Sequence, residues 1–356
     1  MKIASLATIT IALFSLFAAG EPIQAQQPEH PRNPITINTD LVITWAQIFD
    51  AKDATVVKGL GITDFLLRED GKQQQISLVK EGQPLSVVFL VQGGYCDTWG
   101  MPEYELRRSR EALRRLGEDP EIALMAWVYD VVLTQPLTRD QDVIAGQLED
   151  RTNFSHALML KRPQYSSNGY RYFPRIGEAV YQAAQYLEKK ASPGRRKIVI
   201  VIAYPDLMNE EHEHTAAEVN ELLEKTGTTV YGLNQNDGYS PGSGLLSKLG
   251  ISKEGKRRRS GGTLEEFTAN TGGSILTGKP EEGDETLIRL AGLIRSSYTI
   301  GYYPENSNFD GSFRRISLEL SPQGKAKVGK VDIKTRNGYR ALRPSTPVGS
   351  EAQPKR

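Results

Sequence analysis

The sequence predicts an open α/β domain, a mostly parallel sheet flanked by helices, inserted in or packed on a small antiparallel β-sandwich. Three observations predict it. Ser86 to Val91 is an almost wholly apolar, β-branched-rich run of six residues that stops at Gly93-Gly94, as a strand buried on both faces of a parallel sheet should. From Pro84 to about residue 303, strand-length apolar runs alternate with segments of helical period. On either side of that region the apolar runs are short, partly alternating and bounded by turn residues, the texture of antiparallel strands.

Composition sets the bounds. A chain of 356 residues with 38% hydrophobic and 24% charged side chains is ordinary globular material, long enough for two domains. Lysine plus arginine (44) nearly cancels aspartate plus glutamate (43), so no global field directs the chain to nucleic acid or to an anionic membrane.

The amino terminus reads as a secretory signal over residues 1–25: Met1-Lys2, the uncharged run Ile3 to Ala19, then small and polar residues to Ala25. Cleavage after Ala25 is expected, with Gly20 as the alternative. The run is short for a span, which needs roughly 20 apolar residues. The expectation is a secreted or periplasmic protein with no stable membrane anchor after cleavage. Cys96 is the single cysteine, so no internal disulfide can form, and burial of the thiol is favoured over an intermolecular bridge.

Residues 26–37 are polar and proline-bearing, a linker. Residues 38–82 carry short strands at Leu41 to Phe49, Val56-Val57, Phe65 to Leu67 and Ile76 to Val79, with Asp70-Gly71 marking a hairpin. Four short strands alone are marginal. The strands near the carboxyl end, Tyr298 to Pro304, Phe313 to Leu320 and Val331 to Thr335, are therefore expected to pair with them. The boundaries are then 38–82 plus 313–341 for the sandwich and 83–303 for the α/β domain, with a disordered tail at 342–356.

Inside the α/β domain, Pro102 to Leu116 reads as a polar helix, Glu121 to Tyr129 as a second buried strand, Val131 to Leu137 as a third and Asp140 to Leu148 as a short helix. Ile176, Val180, Ala183 and Leu187 recur at helical spacing, with Pro174 near the start and Ser192-Pro193-Gly194 as the stop. Lys197 to Ile202 is the next strand, followed by a helix through Ala216, Val219, Leu222 and Leu223 and a strand at Thr228 to Gly232. Asn234 to Gly262 is a long glycine-rich loop with the basic cluster Lys253 to Arg259. A helix from Leu264, a strand at Ser274 to Leu276, a helix through Leu287, Leu290, Ala291 and Ile294, and the strand Tyr298 to Pro304 follow. Regular alternation of this kind implies parallel strands joined by right-handed crossovers.

Four motifs in order carry a resemblance: Asp50-Ala51-Lys52-Asp53 with Glu69-Asp70-Gly71-Lys72; Pro84-Leu85 before the apolar strand; Tyr298-Thr299-Ile300-Gly301-Tyr302-Tyr303-Pro304 with Asp310 to Ile316; and Arg336-Asn337-Gly338-Tyr339. From about 38 to 341 the chain resembles secreted proteins with a von Willebrand factor A domain of the VWFA-related acidobacterial family. The resemblance implies a Rossmann-like A domain. It also implies a metal-ion-dependent adhesion site, made of Asp-x-Ser-x-Ser after the first strand, a loop threonine, and an aspartate after the fourth strand. Here Gln92, Gly94 and Cys96 stand where Asp, Ser and Ser would, and Ala203-Tyr204-Pro205 stands where Thr-Asp-Gly is usual. Thr152 corresponds to the loop threonine. Mg²⁺ wants an octahedron of hard oxygens, so these replacements predict a degenerate site and no cofactor.

The ligand face is expected at Gln92, Gly94, Tyr95, Cys96, Asp97, Thr152, Tyr170, Tyr172, Tyr204 and Asp206. Tyr165, Tyr170, Tyr172 and Phe173 form an aromatic insertion beside it, and such residues are enriched in interface cores. The reading is an exported, non-enzymatic protein-interaction or adhesion module that takes a protein ligand and no nucleic acid. One alternative is a metal-dependent module with shifted ligands Asp97, Thr152 and Asp206. A more distant one is a Cys96-dependent hydrolase using His156 and Asp206. His212-Glu213-His214 has a metal-like composition, but alternate residues on a helix face apart and no third ligand is evident, so it reads as a solvated helix start. The basic cluster reads as solvated charge, and Asn153-Phe154-Ser155 as a sequon that matters only in a glycosylating host.

Overall fold

The computed structural model describes residues 41–92, 106–127, 131–149, 176–203, 213–235 and 263–342. In chain order these form β1 (Val42–Asp50), β2 (Phe65–Glu69), β3 (Lys72–Gln74), β4 (Ile76–Glu81), β5 (Leu85–Gln92), α1 (Ser109–Arg115), β6 (Glu121–Trp127), β7 (Val131–Thr138), α2 (Gln141–Glu149) and α3 (Ile176–Lys190). There follow β8 (Arg196–Ala203), α4 (Ala216–Thr226), β9 (Thr229–Gln235), α5 (Leu264–Thr271), β10 (Ile275–Gly278), α6 (Gly283–Arg295), β11 (Tyr298–Tyr302), β12 (Phe313–Leu320), α7 (Pro322–Val328), β13 (Val331–Thr335) and β14 (Gly338–Arg340). Among the described residues no helix is long and apolar enough to cross a membrane.

The fold is α/β, with an open six-stranded sheet in the order β10-β9-β8-β5-β6-β7 and two four-stranded antiparallel sheets beside it. The continuous apolar runs sit where such runs must, because β5, β6 and β8 have helices on both faces. Alternate residues of each strand face opposite ways: Val87, Phe89, Ile198 and Ile200 pack with Leu113, Ile144 and Leu287 of α1, α2 and α6. Their neighbours Val88, Leu90, Val199 and Val201 pack with Val180, Val219 and Phe267 of α3, α4 and α5. β7 departs from the expected parallel alternation. It returns antiparallel beside β6 as an edge strand, and Pro136, which has no N–H to donate, is tolerated there.

The antiparallel sheets run β13-β1-β11-β4 and β14-β12-β2-β3, and each takes strands from both ends of the chain. The boundary at 303 counts Tyr298 to Tyr302 with the α/β domain, whereas the shortage of amino-terminal strands predicts that it pairs with them. Its hydrogen bonds place β11 between β1 and β4, with Ile300 opposite Thr44 on one side and Val79 on the other. β2 and β3 are joined through Asp70 and Gly71, whose φ values of 48° and 83° make the mirror-image turn that suits strand twist.

Buried charge holds these sheets. Arg314 of β12 and Glu69 of β2 are 1% and 3% exposed and meet at 3.1 Å. Tyr302 and Tyr339 donate their hydroxyls to the other carboxylate oxygen at 2.7 and 2.9 Å. Arg314 spends further N–H groups on the carbonyls of Asn306 and Asn308. Burial, and then the bond to Glu69, pushes Tyr302 far above the ordinary phenol range and Tyr339 up to about 12. β14 approaches closely enough that a Cβ on Gly338 would lie 2.1 Å from the Arg314 carbonyl oxygen.

A second polar node joins the sandwich to the parallel sheet. Gln47 of β1, 3% exposed, donates to the Tyr231 hydroxyl (3.3 Å) and the Leu293 carbonyl (3.1 Å) and accepts from Ser274 Oγ (3.1 Å). Arg196 donates to the same tyrosine at 2.8 Å. The Trp45 ring lies between two guanidinium groups, Arg196 at 5.2 Å and Arg336 at 5.7 Å, within cation–π range.

Two outcomes follow from this charge distribution. Removing one partner of a buried pair strands the other, which costs about 3–5 kcal/mol. Arg314→Met should therefore lower the urea midpoint sharply, and adding Glu69→Gln should recover part of the loss, because the amide still accepts from the tyrosines without a charge. Equal stability of the single and double variants would show that the pair is not the source.

The other concerns Glu121, at the amino-terminal end of the parallel sheet. Burial acts to raise its pKa, but hydrogen bonds from the Ser192 hydroxyl and amide, Ser86 and Arg139 outweigh this and hold it at about 2 rather than 4.5. A depressed folded value gives stabilisation that is complete above the unfolded value and is lost as the pH falls through the folded one. Denaturation midpoints of the wild type and Glu121→Gln should therefore differ most above pH 4.5 and converge towards pH 2. A pH-independent difference would contradict this account.

Candidate functional site

In an open α/β sheet, ligands bind beyond the carboxyl ends of the strands where the strand order reverses. Here that point is between β5 and β8: β6 lies on one side of β5, and β8 and β9 on the other. The two strands run side by side in register from Leu85 opposite Arg196 to Val91 opposite Ile202. Gln92, half-buried and opposite Trp127 of β6, is the last residue of β5, and the buried Ala203 is the last of β8. The segments that begin after these two residues therefore start at adjacent strand ends.

Of the sequence-predicted face, Gln92 is described. Gly94, Tyr95, Cys96, Asp97, Thr152, Tyr170, Tyr172, Tyr204 and Asp206 lie outside the described residues, as do Tyr165, Phe173, His156, His212, the sequon and the basic cluster. The resemblance implies a carboxylate at the end of β5. A neutral amide stands there, and the last described residue of β8 is an alanine with no donor atom.

The amino-terminal ends of α3 and α4 belong to the same rim, because each helix runs back against the strand it adjoins in sequence. Glu178, in the first turn of α3, is 6% exposed, and His214 immediately precedes the Thr215 N-cap of α4. His214 Nδ1 lies 2.8 Å from Glu178 Oε2. The imidazole stacks on the Tyr181 ring at 3.5 Å with 15° between planes. Gln182, one helical turn beyond Glu178, donates to its Oε1 at 2.9 Å. Thr215 and Glu218 form a capping box, in which the Thr215 amide donates to Glu218 at 2.7 Å.

His214 is thus not the solvated helix start that the sequence suggested. It lies outside α4 and docks on α3. Its partner comes from 36 residues upstream, and the one local hint was a glutamate set among the apolar positions of the α3 period. Exposed Glu213 completes a group of three ligand-type side chains whose donor atoms lie within 4.8 Å of one another.

A separate open groove of about 920 Å³ runs between the helices and β12, lined in part by Glu224, Asn270, Phe313, Arg315 and Asn337. Its amides are engaged in a ladder: Asn337 donates to Asn270, Asn270 to Asn220 and Asn220 to Glu266, at 2.9–3.1 Å.

No family model and no curated protein matches the chain. Among solved structures, the chain is similar to an aerotolerance-related membrane protein from Bacteroides fragilis, at 17% identity over 59% of this chain and 98% of that one, with a TM-score of 0.34. It is also similar to the SpRpn10 VWA domain (10% identity, 58% and 94% covered, TM-score 0.35). A third is a von Willebrand factor type A protein from Catenulispora acidiphila (10% identity, 85% and 73% covered, TM-score 0.36). The fold stands on the sheet order and strand register themselves.

Proposed function

We propose that the chain is an exported, non-enzymatic interaction protein of the von Willebrand factor A kind, which takes a protein ligand at the carboxyl end of its parallel sheet without a divalent ion. The face comprises Gln92, Gly94, Tyr95, Cys96, Asp97, Thr152, Tyr170, Tyr172, Tyr204 and Asp206. The observation that supports the reading is the register of Val91 opposite Ile202, which sets the ends of β5 and β8 side by side at the point where strand order reverses. The chemistry of the strand ends supports the absence of an ion. Gln92 supplies one neutral carbonyl and Ala203 nothing, whereas Mg²⁺ needs near-ideal octahedral oxygen ligation and gives up its water reluctantly. A face of amide, phenol and aromatic groups suits hydrogen bonding and apolar contact with a protein surface. Export, to the periplasm or beyond, rests on the signal-like residues 1–25.

A specific ion at a hundred times its dissociation constant would add about 2.7 kcal/mol of stability. Millimolar Mg²⁺ or Ca²⁺ should therefore leave the melting temperature unchanged. Capture of a partner from envelope extract should be equally efficient with and without Mg²⁺ and should be lost in Tyr172→Ser. Restoring the oxygen ligands with Gln92→Asp, Gly94→Ser, Cys96→Ser and Tyr204→Asp together should create a Mg²⁺-dependent shift. Saturable Mg²⁺ binding by the unmodified chain, abolished by Asp97→Ala or Asp206→Ala, would overturn the metal-free reading in favour of shifted ligands.

A further inference from the structure

Glu178, Glu213 and His214 gather at the rim beside the proposed face, and none of them belongs to it. We infer that these three side chains form a binding site for a borderline divalent transition ion, Zn²⁺ foremost, separate from the oxygen-only site that the sequence resemblance implied.

The donor types set the class of ion. One imidazole nitrogen with two carboxylates matches the ligands that Zn²⁺, Co²⁺ and Ni²⁺ accept, whereas Mg²⁺ and Ca²⁺ favour oxygen alone. Distances set the feasibility. Zinc–ligand bonds of about 2.0–2.2 Å at tetrahedral angles hold two donors on one ion roughly 3.3–3.6 Å apart. The donor atoms as they stand lie within 4.8 Å of one another, so closure requires a side-chain movement of roughly 1–1.5 Å. Exposed Glu213 is the member free to make it, because Glu178 is buried and the His214 ring is stacked.

The two less mobile members are already oriented. Gln182 fixes the Glu178 carboxylate through Oε1 and leaves Oε2 turned to the imidazole, and Tyr181 fixes the plane of that ring. Supporting contacts of this kind place metal ligands and limit the ordering cost of binding. Glu218 is committed to the Thr215 cap. The helix starts at α3 and α4 carry partial positive charge that opposes a cation. Two carboxylates against one divalent ion neutralise the site despite that field. A hydrogen bond between His214 and Glu178 accounts for two members of the group, whereas an ion accounts for all three. Three protein ligands leave a position for water or for a donor from a bound partner.

Co²⁺ and Zn²⁺ test the site directly on the full chain, purified without a polyhistidine tag and treated with chelating resin. Co²⁺ should bind saturably at one ion per chain, with a visible absorption band that Zn²⁺ displaces and millimolar Mg²⁺ does not. Glu213→Gln, at an exposed position, should weaken both ions about tenfold or more while the denaturation midpoint in chelator stays unchanged. His214→Ala should abolish the band. Absence of saturable Co²⁺ and Zn²⁺ binding, or binding undiminished in both variants, overturns the inference. Neither result bears on the metal-free ligand face, whose test is the response to Mg²⁺ and Ca²⁺.

Discussion

The ion pair between Glu69 and Arg314 constrains the rest of the structure. Taking two charges out of water costs several kcal/mol each, and attraction offsets this only where the remaining donors and acceptors are satisfied. Both oxygens of Glu69 are used, one by Arg314 and the other by two tyrosine hydroxyls. Completing this shell needs residues from β2, β11, β12 and β14, which come from both ends of the described chain. The amino-terminal strands thus cannot bury their side of the pair until the carboxyl-terminal strands arrive. Everything between must leave β4 and return at β11, two neighbouring strands of one sheet. The α/β region is therefore anchored at both ends to the same antiparallel sheet.

That anchoring is extended by the Gln47 node. A buried amide with both ends satisfied fixes orientation, because any slip of β1 against β9 and α6 would leave a donor or acceptor unpaired at a cost of about 1–3 kcal/mol. Tyr231, which receives Gln47 and Arg196 together, lies on β9, and Arg196 begins β8. The polar ties thus grip the strands at or near their amino-terminal ends, as does the Glu121 cluster across β5 and β6. Fixed supports at one end of the sheet and a crevice at the other are what an open α/β sheet needs to hold a binding face steady.

Much of this was legible in the sequence, for identifiable reasons. The strand through Ser86 to Val91 was legible because burial on both faces requires an unbroken apolar run. The β2–β3 turn was legible because only residues such as Asp-Gly take two positive φ values cheaply. The helix starting at Ile176 was legible from its period. What was less legible was non-local. Tyr298 to Tyr302 is apolar enough for either sheet, and its neighbours are chosen by residues more than 200 positions away in sequence. The antiparallel return of β7 depends on a connection too short for a crossover, a weaker signal than the apolar pattern. Of the binding face, sequence supplied residue types and the structure supplied Gln92 and the neighbouring strand ends.

The contrast between the strand ends and the helix starts bears on what each part of the rim can recognise. Gln92 and Ala203 bring no side-chain charge to the proposed face, so a ligand taken there as proposed is held by amide hydrogen bonds, apolar contact and the groups that follow. Such a surface discriminates by shape and by leaving misplaced polar groups unpaired, rather than by long-range attraction. Glu178, Glu213 and His214 form the opposite kind of group, ionisable side chains concentrated in one place around a buried carboxylate. Charge gathered at the ends of α3 and α4 thus stands apart from the uncharged side chains of Gln92 and Ala203 at the ends of β5 and β8.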